Sequence, residues 1–166
     1  MNFSIIAAVD KNFGIGKGGT LPWDLKGDLK HFREVTKGCA VIMGRGTWVS
    51  LPDQFRPLPG RINAVLCREG ELNLPEGVLR VSSIDEALEL LEQKGASKIF
   101  VIGGGMVYAQ AVKHPKCEEI YLTEIDNTFE CDTHFPPLPT DFKKISTSEP
   151  VEESGIVYSF AIYKRS

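Results

Sequence analysis

The sequence predicts an α/β fold with a mostly parallel central sheet, an antiparallel C-terminal strand pair and about four flanking helices. Short apolar segments rich in Ile, Val and Phe alternate with helical patterns, which is typical of parallel strands joined by helices. Several of these segments are apolar throughout, as strands buried on both faces must be. Because 166 residues suit one domain, we expect a single domain spanning residues 1–166.

The predicted elements follow from apolar periodicity and from residues that start or stop helices. Strands are expected at residues 3–9, 40–44, 62–67, 78–81, 98–102 and 120–125, with the antiparallel pair at 142–148 and 156–164. Helices are expected at residues 25–37, 47–51, 84–94 and 106–112. The third helix is the best defined, because Ser83 and Glu86 form a capping box and Gly95 ends it.

The composition argues against several classes of function. Nineteen basic and 22 acidic residues give a net charge of −3, which provides no general electrostatic surface for nucleic acid. The four cysteines are widely spaced and predict reduced thiols, and their spacing fits no usual metal site. No apolar segment approaches the roughly 20 residues of a membrane helix, and residues 1–9 lack the basic start of a secretion signal. We therefore expect a cytoplasmic protein without a metal, membrane or nucleic-acid partner.

One acidic residue breaks the amphipathic pattern of the first predicted helix. At about 100° per residue, Leu25, Leu29, Phe32 and Val35 share one apolar face, and the other charges of the helix lie opposite. Asp28 lies within the apolar face. Because burying an unpaired carboxylate is costly, we expect it to have a cationic or hydrogen-bond-donating partner, either in a ligand site or in a purely structural contact.

Three glycine-containing segments are candidates for contact with a ligand. Residues 14–19 satisfy the G-x-G-x-x-G pattern, but Pro22 prevents a helix from opening there, so a flexible loop bordering a site is favoured over a dinucleotide-binding turn. Residues 103–105 and residues 44–45 each join a predicted strand to a predicted helix, where backbone N–H groups are free to bind phosphate. For residues 103–105 a tight structural turn is an equal alternative.

Three arginines are candidate anion ligands. Arg45 and Arg68 follow neighbouring predicted strands, so both could reach one phosphate monoester. Arg61 follows a Pro-Leu-Pro-Gly turn whose prolines limit its freedom and prepare its guanidinium for a carboxylate. Arg45 or Arg68 could instead be a solvated surface arginine, which is the more frequent case for any single residue.

These residues belong to ordered motifs that resemble the dihydrofolate reductase family along nearly the whole chain. The matching segments are Gly14-Ile15-Gly16 to Leu21-Pro22-Trp23, Gly27-Asp28-Leu29 with Phe32, Val41-Ile42-Met43-Gly44-Arg45 with Thr47-Trp48, Arg56-Pro57-Leu58-Pro59-Gly60-Arg61, Ile102-Gly103-Gly104-Gly105 with Tyr108, Tyr121-Leu122-Thr123, and Asp132-Thr133-His134-Phe135-Pro136. Several ordered motifs at the family's spacing are more specific than any one alone. The resemblance implies the dihydrofolate-reductase-like fold.

The resemblance also implies roles for the site residues. Asp28 would bind the ring N–H and 2-amino group of a pterin, and Thr123 would hydrogen-bond to the same carboxylate. Trp23 and Leu21 would complete the catalytic group by holding and admitting water near the acid. The substrate would lie between apolar side chains and an arginine for its glutamate tail, namely Ile6, Leu29, Phe32, Leu58, Ile102 and Arg61.

The cofactor that the resemblance implies is NADPH. Its nicotinamide would lie near Ala8, Ile15 and Gly16, beneath a mobile lid at residues 14–21. Its phosphates and adenosine would contact residues at three strand ends, namely Gly44, Arg45, Gly46, Thr47, Leu66, Cys67, Arg68, Gly104, Gly105, Met106, Val107 and Tyr108. Gly46 and Met106 stand where many relatives carry a basic side chain, so selection of the 2′-phosphate would depend mainly on Arg45 and Arg68.

The reaction implied is hydride transfer from NADPH to C6 of 7,8-dihydrofolate with protonation at N5, which gives 5,6,7,8-tetrahydrofolate. The protein would act as a monomer and would also bind antifolate inhibitors. Two alternatives remain open: a reductase of the same fold that acts on a pyrimidine intermediate of riboflavin synthesis, and a non-catalytic nucleotide-binding module. Asp28 together with Thr123 argues against the first alternative.

Overall fold

The computed structural model describes residues 1–18 and 20–166, and within these ranges it contains eleven strands and four α-helices. The strands are β1 (Phe3–Val9), β2 (Gly14–Gly16), β3 (Ala40–Gly44), β4 (Ile62–Leu66), β5 (Leu79–Val81), β6 (Ile99–Gly103), β7 (Cys117–Ile125), β8 (Thr133–His134), β9 (Phe142–Thr147), β10 (Val151–Glu153) and β11 (Ile156–Arg165). The helices are α1 (Lys26–Thr36), α2 (Arg45–Ser50), α3 (Ile84–Gln93) and α4 (Gly105–Val112).

One large sheet has the strand order β10-β11-β7-β1-β6-β3-β4-β5, with β9 also paired to β11. The strands from β7 to β5 are parallel, whereas β11 runs antiparallel to β7, β9 and β10. β6 lies between β1 and β3 although it follows both in the chain, so the strand order reverses there. The carboxyl ends of parallel strands beside such a reversal form a crevice in which ligands commonly bind.

The two faces of the sheet carry different helices, because successive residues of a strand point to opposite sides. Phe3 and Ile5 of β1 pack with the apolar side chains of α3 and α4. Ile6 of the same strand lies on the other face, in a cluster that includes Phe32 of α1. Trp48 of α2 packs on side chains of β3 and β4. The predicted site residues of α1 therefore share one face of the sheet with Ile6.

The predicted α/β fold, with its mostly parallel sheet and C-terminal antiparallel pair, is confirmed, and several element boundaries differ. α2 begins at Arg45 rather than at residue 47, and β7 begins at Cys117 rather than at residue 120. The prediction missed β2, β8 and β10, which are too short to show a periodic pattern. Residues 14–16 form a strand instead of opening a helix, which confirms that they are not a dinucleotide-binding turn.

The predicted cap of α3 is present with one change of partner. The Oγ of Ser83 accepts a hydrogen bond from the N–H of Glu86 at 3.0 Å. The Glu86 carboxylate accepts from the N–H of Ser82 at 2.8 Å, one residue before the position that a capping box requires. In the described parts of the chain, every helix is too short or too polar to span a membrane.

Candidate functional site

Asp28 and Thr123 form the centre of the candidate site. Asp28 lies half-buried in the first turn of α1, and its Oδ1 accepts a hydrogen bond from Oγ1 of Thr123 on β7 at 2.6 Å. Burial raises the pKa of the Asp28 carboxyl, and the negative charge of Glu153 acts in the same direction, whereas the Thr123 hydrogen bond opposes them. In the described part of the chain, no group donates to Oδ2 and no cation pairs with the carboxylate. The predicted partner of this acid is thus a neutral hydroxyl.

A second carboxylate holds the helix that carries Asp28. The residue before α1, Leu25, provides no side-chain cap. Instead Glu153 of β10 accepts hydrogen bonds from the N–H groups of Lys26 at 2.7 Å and Gly27 at 3.0 Å, and Tyr158 donates its hydroxyl to Glu153 at 3.0 Å. Sequence reasoning missed Glu153, since no local pattern connects a residue to a helix that begins 127 positions earlier.

The apolar residues predicted to contact the substrate come together, with one exception. Ile6 and Leu58 belong to two buried clusters that share Phe32 and Ile102. Leu29 lies on the predicted apolar face of α1, and it is 45% exposed. α1 packs against the sheet through residues nearer its C-terminal end, and Thr36 is its only buried residue.

Trp23 and Leu21 differ in their surroundings. Trp23 is buried against Phe129, and its Nε1 is a buried donor without an acceptor in the described part of the chain. Leu21 is 51% exposed. A buried indole N–H normally has a partner, so Trp23 is a candidate for binding a polar atom that the protein does not supply.

The segment predicted as a mobile lid is paired with another part of the chain. β2 pairs with β8, and the N–H of Gly18 donates to Oδ2 of Asp132 at 2.9 Å. Lys17 forms an ion pair with Glu130 at 2.9 Å. Ile15 packs against the main core cluster, whereas Gly19, which the prediction also included, lies outside the described residues. The contacts of residues 14–18 place them beside the carboxyl end of β1, with which β2 is in contact.

Arg61 is held in a defined position, as its place after the proline turn predicts. Its Nε donates to the carbonyl of Pro59 at 2.9 Å, and its Nη1 donates to Oγ1 of Thr36 at 3.1 Å. Burial lowers the pKa of the guanidinium, and the positive charge of Arg33 adds to this effect. Sequence reasoning missed Asn63, a buried polar residue in β4 whose side chain accepts from the N–H of Leu58 at 2.9 Å and donates to the carbonyls of Leu58 and Arg61.

The ends of β3 and β4 bring the two other arginines to one edge of the sheet. Gly44 and Leu66 are paired in register, so Arg45 and Arg68 follow adjacent strand ends. Both side chains are exposed. Arg45 Nε lies 3.4 Å from Oε2 of Glu71, a partner that the sequence did not predict.

The glycine residues at the junction of β6 and α4 have close protein neighbours. A Cβ on Gly103, whose φ is +139°, would lie 2.9 Å from Oγ1 of Thr47. One on Gly105 would lie 2.8 Å from Thr133 Cγ2. The hydroxyl of Tyr108 lies 2.8 Å from the carbonyl oxygens of both Ile6 and Ile102, and burial raises its pKa. These residues are therefore closely packed by the protein itself, whether or not a ligand also contacts them.

The remaining residues that were predicted to contact the cofactor differ in their exposure and their neighbours. Ala8 is half-buried in a cluster with Trp23, Val107 is buried, and Met106 is 81% exposed. Gly46 has no neighbour within 4 Å of where a Cβ would lie. Cys67 is one of four free cysteines and lies 3.4 Å from Nη1 of Arg80.

Fold and site together define an α/β protein that combines a half-buried carboxylate with an arginine-bearing edge, both near the carboxyl ends of one parallel sheet. A family model described as dihydrofolate reductase matches residues 2–165. The chain belongs to the dihydrofolate reductase family, which confirms the resemblance seen in the motifs.

Known relatives agree with this assignment. The chain is 44% identical over 178 residues to a bifunctional dihydrofolate reductase-thymidylate synthase of Zea mays, with 99% of this chain and 34% of that protein aligned. It is 37% identical to a dihydrofolate reductase of Drosophila melanogaster (99% of this chain, 98% of the relative) and 39% identical to one of Aedes albopictus (98% and 97%). The chain thus spans about a third of the length of the plant relative and nearly all of the insect ones.

Proposed function

We propose that this protein catalyses the NADPH-dependent reduction of 7,8-dihydrofolate to 5,6,7,8-tetrahydrofolate. The observation that carries the proposal is Asp28, a half-buried carboxylate with a neutral hydroxyl as its partner and one oxygen that accepts from no described protein group. A pterin ring offers two adjacent N–H donors, and such a pair suits a carboxylate with a free oxygen. The names of the insect relatives support this assignment.

The substrate is proposed to lie between the apolar cluster residues and Arg61. Ile6, Phe32, Leu58 and Ile102 would contact the rings, with Leu29 at the exposed edge. Arg61 would bind a carboxylate of the glutamate tail. Its Nε and Nη1 are fixed by protein oxygens, and its Nη2 donates to no group in the described ranges. A guanidinium fixed in this way loses little freedom when it binds a carboxylate.

NADPH is proposed to bind along the carboxyl ends of β1, β3, β4 and β6. The donor set fits a phosphorylated dinucleotide, because Arg45 and Arg68 follow strand ends that are in register, and Thr47 lies against Gly103 where β6 meets α4. When bound, the cofactor supplies the hydride. The chain's own residues would align the two reactants and exclude water, with Ala8, Ile15 and Gly16 beside the reacting end.

The proton that reaches N5 is proposed to come from water near Asp28 and Trp23. The unpartnered Nε1 of Trp23 would donate to this water and hold it in place. Leu21, which is half exposed, would control access to it. The negative charge of the Asp28 carboxylate, which burial leaves poorly hydrated, would favour a protonated ring beside it.

The test is the loss of NADPH absorbance with and without added dihydrofolate. We expect oxidation that depends on dihydrofolate, whereas a non-catalytic module would bind NADPH without oxidising it. A pyrimidine reductase would require the riboflavin intermediate instead. Failure of folded protein to oxidise NADPH in the presence of dihydrofolate would overturn the proposal.

We further propose that the protein is a single-domain monomer located in the cytoplasm, and that it binds antifolate inhibitors at the same site.

A further inference from the structure

A carboxylate lies between the two arginines that are proposed to bind the 2′-phosphate of the cofactor. Oε1 of Glu71 accepts a hydrogen bond from the backbone N–H of Arg68 at 2.5 Å, and its Oε2 lies 3.4 Å from Nε of Arg45. A backbone N–H and a guanidinium are also the donors that phosphate oxygens prefer. Glu71 therefore occupies donors that a phosphate would use.

The loop that carries Glu71 is fixed by a partly buried strand residue. Arg80 of β5 donates to the carbonyl of Arg68 at 2.8 Å and to the carbonyl of Leu72 at 2.7 Å. These two bonds hold the chain on both sides of Glu71. Because the loop is already ordered, little further entropy is lost when the carboxylate contacts Arg45.

The surroundings of Arg45 make this contact important for selectivity. Among the residues proposed to contact the phosphates and adenosine, Arg45 and Arg68 carry the positive charges, since positions 46 and 106 are Gly and Met. The Arg45 side chain is 55% exposed and that of Glu71 is 36% exposed. An ion pair at this exposure is weak and can be exchanged for another anion.

We propose that Glu71 is a specificity-determining residue that weakens the preference for NADPH over NADH by neutralising Arg45. The inference rests on the proposed function. A 2′-phosphate must displace the Glu71 carboxylate from Arg45 or bind beside it against charge repulsion, and both reduce affinity. A cofactor with a 2′-hydroxyl meets no such competition, and a hydroxyl of this kind can donate to a carboxylate, as it does in many NAD-binding sites.

The test is a calorimetric titration of NADPH and of NADH into the wild-type protein and Glu71→Gln at fixed, low ionic strength. Glutamine keeps the size of the side chain and removes its charge. We expect the Kd for NADPH to fall by up to about fivefold, the upper end of the range for a weak exposed ion pair, while the Kd for NADH stays the same or rises. The substitution should lower the Kd of adenosine 2′,5′-bisphosphate as it lowers that of NADPH. The Kd of adenosine 5′-monophosphate should stay the same.

Glu69→Gln is the matched control, since it removes the same charge from the same loop. The Glu69 side chain is 97% exposed and lies 3.9 Å from Nε of Arg80 rather than against Arg45. We expect it to leave the NADPH affinity almost unchanged. Equal tightening in both variants would indicate a general charge effect and would overturn the assignment of Glu71.

Other outcomes of the titrations would also overturn the inference about Glu71. Unchanged NADPH affinity in folded Glu71→Gln would overturn the inference, and weaker binding of both cofactors would show that Glu71 supports the loop instead. These results would leave the proposed function intact. Lack of saturable binding of either cofactor to the wild-type protein would instead overturn the cofactor proposal, and the inference with it.

Discussion

Asp28 is the residue whose chemistry the proposed reaction most depends on. Asp28→Asn keeps the shape of the side chain but removes the negative charge beside the substrate ring. We expect turnover at pH 7 to fall by about 10²-fold to 10³-fold, a typical contribution of a positioned acid or base. NADPH affinity should stay nearly unchanged, since Asp28 is proposed to contact the substrate and not the cofactor.

Steady-state rates across the pH range and direct titration of NADPH measure these two effects. Activity of the variant should recover towards low pH, where the substrate is already protonated. If Asp28→Asn turned over substrate as fast as the wild-type protein at neutral pH, this would contradict the role assigned to the carboxylate.

The same substitution should stabilise the ligand-free protein. Burial raises the pKa of Asp28 above its usual value of 3.8, so the folded state binds the proton more tightly than the unfolded state. Its favourable contribution is fully present below pH 3.8 and is lost as the pH rises through the folded-state value. We therefore expect Asp28→Asn to raise Tm by a few degrees at pH 7 to 8, with a smaller gain near pH 4. A lower Tm for the variant at pH 8 would refute this.

At the residue scale, the sequence indicated Asp28 as a candidate site residue but did not indicate the groups that hold its helix in place. Asp28 could be found because a charge within an apolar helix face breaks a local pattern. Glu153 could not, because its partners are backbone N–H groups that lie 127 and 126 positions away in the sequence. Glu71 could not either, because its contact with Arg45 depends on tertiary packing. Periodicity predicted the apolar face of α1 but not how far each residue on it is covered, and Leu29 is 45% exposed.

Helix α1 depends on a cap that comes from another strand. Glu153→Ala removes the acceptor for the N–H groups of Lys26 and Gly27. We expect a loss of unfolding free energy, as for other helix N-caps. The charge of Glu153 also acts on Asp28, so the acidic limb of the activity profile should move to lower pH when that charge is removed.

Denaturant unfolding and the pH dependence of kcat measure these effects, with Glu152→Ala as the control. Glu152 is exposed and lies next to Glu153 in β10. The prediction fails if both variants lose the same free energy, or if Glu153→Ala leaves stability and the profile unchanged.

At the element scale, length decided most outcomes, although the three-residue strand β5 was predicted. β1, β3 and α3 have enough residues for their apolar pattern to be read. The short strands β2, β8 and β10 exist because another segment pairs with them, which no local window records. The start of α2 was placed late because glycine at position 46 lowers helix propensity, while its neighbours in the fold still make that turn helical.

In the molecule as a whole, Asp10 joins two distant loops beside the candidate site. This buried carboxylate accepts hydrogen bonds from the N–H groups of Asn12 (2.9 Å), Gly14 (2.7 Å) and Phe129 (2.9 Å). Burial acts to raise the pKa of Asp10, but these bonds more than offset it and the pKa is lowered from 3.8. We expect Asp10→Asn to cost about 2 kcal/mol of unfolding free energy, as expected for lost bonds to a charged group.

The pH dependence of this cost has the opposite sign to that of Asp28. A lowered pKa gives stability that is present above pH 3.8 and is lost as the pH falls through the folded-state value. Denaturant unfolding should therefore show the full difference at pH 7 and a shrinking difference as the pH falls below 3.8. Asp126→Asn, a change at an exposed acid paired with Lys11, should cost much less. Similar costs for the two variants would contradict the structural role of Asp10.

The overall architecture was predictable because it rests on the most repeated signal in the chain. Apolar strands alternating with helices require a parallel sheet, and the change to two long adjacent strands after residue 140 marks its antiparallel end. The position of β6 between β1 and β3 was not predictable, since nothing in a strand's own residues specifies its neighbours.

The residue that caps α1 lies late in the sequence, and this has a consequence for synthesis of the chain. The chain leaves the ribosome from its N-terminus, and Glu153 emerges 126 residues after Gly27. Until β10 and β11 have been translated, the helix that presents Asp28 lacks its acceptor, and Thr123 lacks the strand that flanks it. A nascent polypeptide stalled before this point would hold most of the sheet and still have an unfinished candidate site.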